Sequence, residues 1–230
     1  MGRILPRKPA LPFVKWAGGK RSLIDRIMPF VPPSFRTYYE PFLGGGALFF
    51  AMSSMRHPRF ERAVLGDMNT DLMRTYAALR MHPRGVMDLL RFHEEKHSKS
   101  YYLKMRATSS NKLIEVAAAA RFIYLNKTCF NGLYRVNSLG VFNVPLGFSQ
   151  KHPCTFDAKN ILRVHRALQR ASLYITSFEN MFDTAKPGDF FYFDPPYAPL
   201  NATSNFTKYT KGGFTLDDHR ALRDVAMRLK

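Results

Sequence analysis

The sequence predicts an α/β fold: an open parallel sheet with crossover helices, interrupted by an inserted, mainly helical segment that carries a β-hairpin. Three observations predict it. The first 68 residues alternate strand, loop, helix and strand, the order in which a parallel sheet with crossover connections begins. From about Asn69 to Cys154 strand alternation gives way to helical, strongly basic segments containing Arg74, Arg80, Lys96, Lys99, Lys104, Arg106 and Lys112. Sheet texture then returns at Leu173–Thr176 and Phe190–Phe193. With 230 residues and 46% apolar composition, the chain can bury a real core in one large domain that bears an insertion.

Taken in order, Phe13 to Lys20 reads as a turn leading into the helical spacing Leu23, Ile24, Ile27, Met28, which Pro32-Pro33 ends. Thr37–Glu40 reads as a short strand, 41–46 as a tight glycine loop and Ala47–Met55 as a helix. Arg62–Leu65 is a second strand that delivers Asp67 to its carboxyl end. Inside the insertion, Leu113, Val116, Ala117, Ala120, Ile123 and Tyr124 keep a helical period. Leu133–Val136 and Val141–Val144 flank Asn137-Ser138-Leu139-Gly140 as a hairpin. In the last segment Thr215 is the expected N-cap, with Asp218 three residues on and Leu222, Val225, Ala226 and Leu229 along one face.

Lysine and arginine number 35 against 17 acids, a formal charge of +18. This balance points to a polyanionic partner, with nucleic acid ahead of a membrane surface. No stretch approaches a membrane span, and the basic Met1–Lys8 is not followed by the apolar segment of a signal peptide or by a myristoylation signal. Cys129 and Cys154 suit neither a metal pair nor a disulfide framework, which points to a reducing interior and to chemistry that needs neither thiol. The seven histidines lack metal-ligand spacing, so most are expected at the surface or facing nucleic acid, and no metal is expected.

Asp194-Pro195-Pro196-Tyr197 follows the apolar run Phe190–Phe193. Proline has no N–H, so the backbone there offers only acceptor oxygens beside the Asp194 carboxylate, and Tyr197 supplies a stacking face. That set suits a flat ring bearing an amine, whose delocalised lone pair becomes a better nucleophile when its hydrogens are held by acceptors. A strand followed by a plain Pro-Pro turn fits the tetrapeptide equally well. Glu40-Pro41-Phe42-Leu43-Gly44-Gly45-Gly46 lets a ligand approach the backbone, although Phe49 stands where the dinucleotide fingerprint needs a third glycine. Asp67, a strand later, lies where a carboxylate binds ribose hydroxyls, or it is a strand-end turn residue. Gly18-Gly19-Lys20 is not a phosphate loop, since Val14 and Arg21 occupy the positions of the first glycine and the Ser/Thr. Trp16 and Lys20 could flank an amino-acid-like ligand, with ordinary core packing as the alternative for Trp16. Phe130-Asn131-Gly132-Leu133-Tyr134-Arg135 sets aromatic and basic groups on a turn, the format of a wedge with a base-edge reader or of a plain hairpin.

Together, Lys15–Lys20, Glu40–Gly46, Asp67-Met68-Asn69, Leu125-Asn126 with Asn131–Arg135, Phe142–Gly147 and Asp194–Tyr197 resemble the Dam family of DNA adenine methyltransferases. The motifs stand in that family's alpha order, and the match runs from about Phe13 to the C-terminus. The resemblance implies a Rossmann-like methyltransferase fold, with residues 1–68 and 156–230 catalytic and 69–155 a target-recognition domain. It implies methyl transfer from S-adenosylmethionine to the exocyclic amine of adenine in double-stranded DNA, at GATC, by a monomer in the bacterial cytoplasm or in a phage-infected cell. By motif position, Trp16, Lys20, Phe42, Asp67, Ser177, Phe178 and Asp194 are the implied cofactor contacts. Asp194 and the Pro195 carbonyl hold the amine and Tyr197 stacks on the base, which must leave the helix to reach them. Lys15 and Arg135 are implied guanine readers, Leu133 and Pro145 apolar base contacts, and Phe130, beside Asn131, the inserted aromatic. The family carries further strands and an active-site wall past the equivalent of Lys230. The expectation is therefore a catalytic domain shortened at its C-terminus, with a DNA-binding remnant that no longer turns over as the alternative reading.

Overall fold

A computed structural model describes residues 8–55, 57–148, 153, 155–197 and 214–229. Cys154 and the first seven residues, to which some of these expectations refer, lie outside them. Four strands, β1 (Thr37–Glu40), β2 (Arg62–Asp67), β3 (Ala171–Ile175) and β4 (Phe190–Phe191), form one sheet in the order β3-β2-β1-β4. Every pairing is parallel, with Tyr38 opposite Ala63 and Phe190, and Ala63 opposite Ala171. All four residues of β1 are buried, as a strand covered on both faces requires.

β4 is shorter than the apolar run that announces it. Tyr192 N–H still bonds Tyr39 O at 2.9 Å, but Pro195 and Pro196 have no donor with which to extend the ladder. Asp189 Oδ1 accepts Thr37 N–H at 3.0 Å and fixes the start of the pairing. The first predicted helix is also broken. It divides into a 3-10 turn Arg21–Leu23, α1 (Ile24–Ile27) and a second 3-10 turn Met28–Phe30, because Pro29 interrupts it ahead of Pro32-Pro33.

The remaining helices are α2 (Ala47–Ser53), α3 (Thr70–Met81), α4 (Pro83–Glu95), α5 (Lys99–Ala107), α6 (Glu115–Thr128), α7 (Ala158–Leu168) and α8 (Leu216–Arg228). Side chains set several of their starts. Asn69 accepts Leu72 N–H, Ser98 accepts Tyr101 N–H and Asp157 accepts Asn160 N–H at 2.9, 3.1 and 3.1 Å. Thr215 and Asp218 form the expected reciprocal capping box on α8. Each such cap contributes about 0.5–2 kcal/mol.

One hydrophobic core runs from the sheet through α3 into α6. Phe60, Phe35 and Phe190 gather on Tyr38 and Phe49 packs on Phe60, with ring centroids 5.7 Å apart for Tyr38–Phe60 and 6.0 Å for Phe49–Phe60. Each fully buried large apolar side chain contributes about 1.5–3 kcal/mol. α6 is buried from Ala118 to Asn126, so it forms the spine of the insertion rather than a surface helix. Arg121, itself buried, donates to the carbonyls of Met105 and Arg106 and holds the end of α5.

The histidine expectation needs correction. His93 is buried and bonds Tyr101 Oη, while His97 bonds Tyr124 Oη. Burial, reinforced by the Arg121 charge, holds the His93 ring down at about 4, so it packs as a neutral aromatic. His165 and His219 are half-buried as well, which leaves His57 and His82 as the exposed histidines among the described residues.

Candidate functional site

The carboxyl ends of β1, β2 and β4 meet around the glycine loop. β1 and β4 are neighbours in space but far apart in sequence, so the crevice between their ends is a topological switch point, where open α/β sheets bind ligands. The loop turns through left-handed backbone at Gly44 (φ +47°) and Gly46 (φ +66°) before α2 begins. Both positions need glycine. A Cβ on Gly44 would lie 2.6 Å from Trp16 Cδ1, and one on Gly46 2.8 Å from Tyr76 Oη. Phe49, where the fingerprint would have glycine, is a fully buried core residue.

Asp67 ties the loop to the sheet. Its Oδ2 accepts Gly44 N–H and its Oδ1 accepts Asn69 N–H, both at 2.9 Å, and Tyr76 Oη donates to Gly44 O at 3.0 Å. Burial raises the Asp67 carboxyl against the lowering effect of the Asn69 and Gly44 bonds. Each oxygen still has a lone pair for a hydroxyl donor.

Asp194 is held by Lys20. Lys20 Nζ lies 2.7 and 2.6 Å from the two carboxylate oxygens and also donates to Gly18 O at 2.7 Å. The ammonium sits 5.4 Å from the centre of the Tyr197 ring. Burial alone would lower the Lys20 pKa, but the bonds and charges of Asp194 and Tyr197 outweigh it and the net shift is upward. Lys20 thus serves the carboxylate directly, a contact the motifs do not announce. Tyr197 is largely exposed and offers an open ring face.

Glu40 is a further acid that motif spacing leaves unassigned. It is buried at the end of β1, accepts Tyr38 Oη at 2.9 Å, and burial together with the nearby Asp194 and Asp67 charges pushes it up to about 8. Three carboxyl groups therefore share one end of the sheet in a chain of formal charge +18. On the far side, Phe42 packs on Phe178 and Phe214, with centroids 5.6 and 5.5 Å apart, and Phe178 is buried against Leu222 and Val225 of α8. Ser177 begins the short turn that carries Phe178.

The hairpin is present as two antiparallel bridges, Cys129–Leu146 and Val136–Phe142, rather than as long strands. Asn131 (φ +54°) and Gly132 (φ +66°) turn the chain through left-handed backbone. Phe130 and Leu133 are 40% and 42% exposed, and Pro145, also exposed, accepts Phe130 N–H at 2.9 Å. Arg135 Nε donates to Asn143 Oδ1 at 2.7 Å, which orients the guanidinium. Lys15 reaches this surface from the other end of the chain. Its stem lies so close to Gly132 that a Cβ there would come 2.4 Å from Lys15 Cδ. Buried Asn126 clamps the two together by accepting Lys15 N–H and donating to Lys15 O and Gly132 O at 2.8, 2.8 and 2.9 Å. Lys15, Phe130, Asn131, Leu133, Arg135 and Pro145 thus come together on one side of the insertion. Trp16 joins them to the loop, 5.8 Å from Tyr134 and in contact with Gly44. Burial pushes the Cys129 thiol beneath this turn up to about 11, so it is protonated at neutral pH.

The model of the D12 class of N6 adenine-specific DNA methyltransferases matches residues 16–230. The Type II methyltransferase M1.LlaDCHI of Lactococcus lactis subsp. cremoris is 42% identical over 95% of this chain and 76% of its own length. The Type II methyltransferase M.MjaIII of Methanocaldococcus jannaschii is 39% identical over 95% of this chain and 80% of its own. A DNA adenine methylase of Vibrio cholerae serotype O1 is 38% identical over 93% and 75%. The chain thus belongs to the D12 class of N6 adenine-specific DNA methyltransferases.

Proposed function

We propose that this chain performs its family's reaction on duplex DNA at GATC, using S-adenosylmethionine and a target adenine swung out of the helix into the crevice between β1 and β4. The observation that carries the reading is the placement of Asp194, held by Lys20 beside the Trp16–Gly44 loop. S-adenosylmethionine supplies an electrophilic methyl on a sulfonium. The residues present suit such a cation, since the Asp67 and Asp194 carboxyl groups lie at this end of the sheet, near enough to Glu40 for their charges to raise it. Asp67 can accept ribose hydroxyls on lone pairs its backbone bonds leave free. Trp16 and Phe42 offer apolar faces, and Ser177-Phe178 edges the far side.

On the base side, Asp194 and the Pro195 carbonyl accept from the adenine amine, and Tyr197 stacks on the ring. Acceptors on both amine hydrogens localise the nitrogen lone pair, and alignment with the methyl carbon supplies much of the remaining acceleration. Residues 69–155 form the recognition unit. Lys15 and Arg135 read guanine, Leu133 and Pro145 contact neighbouring bases, and Phe130, set by the Asn131 turn, fills the gap left by the displaced base. Purified protein, labelled S-adenosylmethionine and paired duplexes with GATC or GTTC test the proposal. Label confined to the GATC duplex is the expected result. Tight duplex binding with no incorporation would favour the non-catalytic remnant instead.

A further inference from the structure

A second concavity lies at the opposite edge of the sheet. It has a volume of about 540 Å³ and is walled by the end of α2, by the residues leading into β2 and by one face of α7. That volume is typical of small-ligand sites. Its lining includes Met55 and Pro58 just before β2, and Arg170 immediately before β3, so it marks the amino ends of the parallel strands. The methyl-transfer crevice marks their carboxyl ends. β2 spans six residues, so about 17–20 Å of sheet separates the two.

Five cations line this cavity: Lys8, Lys159, Arg163, Arg166 and Arg170, with no carboxylate among the lining residues. Four of them recur at positions i, i+4, i+7 and i+11, a single stripe along α7 and its exit turn, while Ile161, Val164 and Leu168 face the core. Like charges at such spacing repel one another. Nothing described neutralises most of the stripe. Arg163 has one ion pair, Nη2 to the exposed Asp157 Oδ2 at 3.3 Å, and its buried Nε has no hydrogen-bond partner among the described residues. Arg166 Nε is spent on Leu162 O, and no ion pair is found for Lys8, Lys159 or Arg170 among the described residues. The floor is apolar, with Ala10, Phe60 and Leu162, and Ser54 closes one wall by accepting Ala10 N–H at 2.9 Å.

Cations around an apolar floor complement a nucleotide, with its base on the floor and its phosphate on the stripe. We propose that this cavity is a second ligand site, separate from methyl transfer, that binds a nucleotide phosphate ester. The ester is carried either by a free nucleotide or by a stretch of nucleic-acid backbone. Arg163 Nε supplies a pre-positioned donor, and Lys159 and Arg170 supply mobile charge. Binding of this kind weakens linearly in log affinity with log salt, in proportion to the phosphates engaged.

The test uses the full chain with saturating S-adenosylmethionine, so that the methyl-transfer crevice is filled. UMP and inorganic pyrophosphate are titrated calorimetrically at two salt concentrations. Saturable binding is expected, and Lys159→Gln with Arg170→Gln should weaken it at least tenfold while methylation of a short GATC duplex is unchanged. Neither side chain makes a described hydrogen bond, so the variant should fold, which a thermal melt checks. Arg163→Gln, measured alone, should weaken UMP at least tenfold as well. Displacement of UMP by a short duplex lacking GATC identifies nucleic-acid backbone as the source, and failure to displace it identifies a free nucleotide. Absence of saturable binding, or wild-type affinity in both variants, would overturn the proposal.

Discussion

Replacing Asp194 with asparagine removes one negative charge and one acceptor from the crevice while keeping the side-chain shape. The carboxylate lies 2.6 Å from Lys20 Nζ, and the two side chains are only 25% and 16% exposed. At that separation the gross attraction runs from about 1.6 kcal/mol at the dielectric of water to about 6.4 kcal/mol at an effective value of about 20. Desolvation and partial exposure reduce the net stability loss to about 1–3 kcal/mol. The effect on rate is separate. Loss of a preorganised electrostatic partner costs about 10²–10³ in turnover, or roughly 2.7–4 kcal/mol of barrier. Duplex affinity should stay within about threefold, because the proposed phosphate and groove contacts lie elsewhere. Single-turnover incorporation of labelled methyl, with a binding isotherm and a thermal melt on the same preparation, separates the three quantities. Turnover within tenfold of wild type in a folded variant would refute the role given to this carboxylate. The ion pair itself imposes no pH limb near neutrality. Lys20 is raised above its ordinary value, so its contribution is complete below about 10.5 and fades only as pH climbs past the shifted pKa.

Glu40 gives a slope of the same sign, but in a window that reaches neutrality. Its folded pKa of about 8 exceeds the ordinary 4.5, so the folded state holds the extra proton and stability should fall by about 1.4 kcal/mol per pH unit between those values. Urea melts from pH 5 to 8 should show that slope in wild type and a flatter profile in Glu40→Gln. Asn126→Ala strips three bonds from the clamp on Lys15 and the 131–132 turn, at an expected cost of about 2–4 kcal/mol. It should also blur discrimination at the guanine assigned to Lys15, measured by competition between cognate and single-substitution duplexes. Sharp discrimination in a folded Asn126→Ala variant would show that the clamp does not position Lys15. Arg135→Ala should cost about 1–3 kcal/mol of preference at one guanine. Asn143→Ala, which frees the guanidinium without removing it, should lose only part of that, and equal losses in the two variants would show that orientation is the whole effect.

Much of this was written in local patterns. Parallel strand order, the glycine loop, the box on α8 and the left-handed turn at Asn131-Gly132 follow from residues close together in sequence, where backbone and capping chemistry decide the outcome. Three features were not legible because they depend on partners distant in sequence. The Lys20–Asp194 pair joins residues 174 positions apart, and periodicity carries no trace of it. Asn126 reads as one polar residue in a buried helix until Lys15 arrives 111 positions away. His93 looks like a surface histidine of a basic segment until Tyr101, Tyr124 and Arg121 close around it. The two-residue length of β4 is partly local, since the prolines that stop it stand beside the apolar run.

Because β4 docks beside β1 rather than beside its neighbour in sequence, birth order on the ribosome separates affinity from reactivity. The basic helices, the recognition turn and the glycine loop are all translated before Phe190 leaves the exit tunnel, and domains generally fold as they emerge. A nascent chain can therefore cling to polyanions through charge alone well before Asp194 has joined Lys20. Completion of the acidic crevice waits for the last of the described strands, a late event imposed by topology.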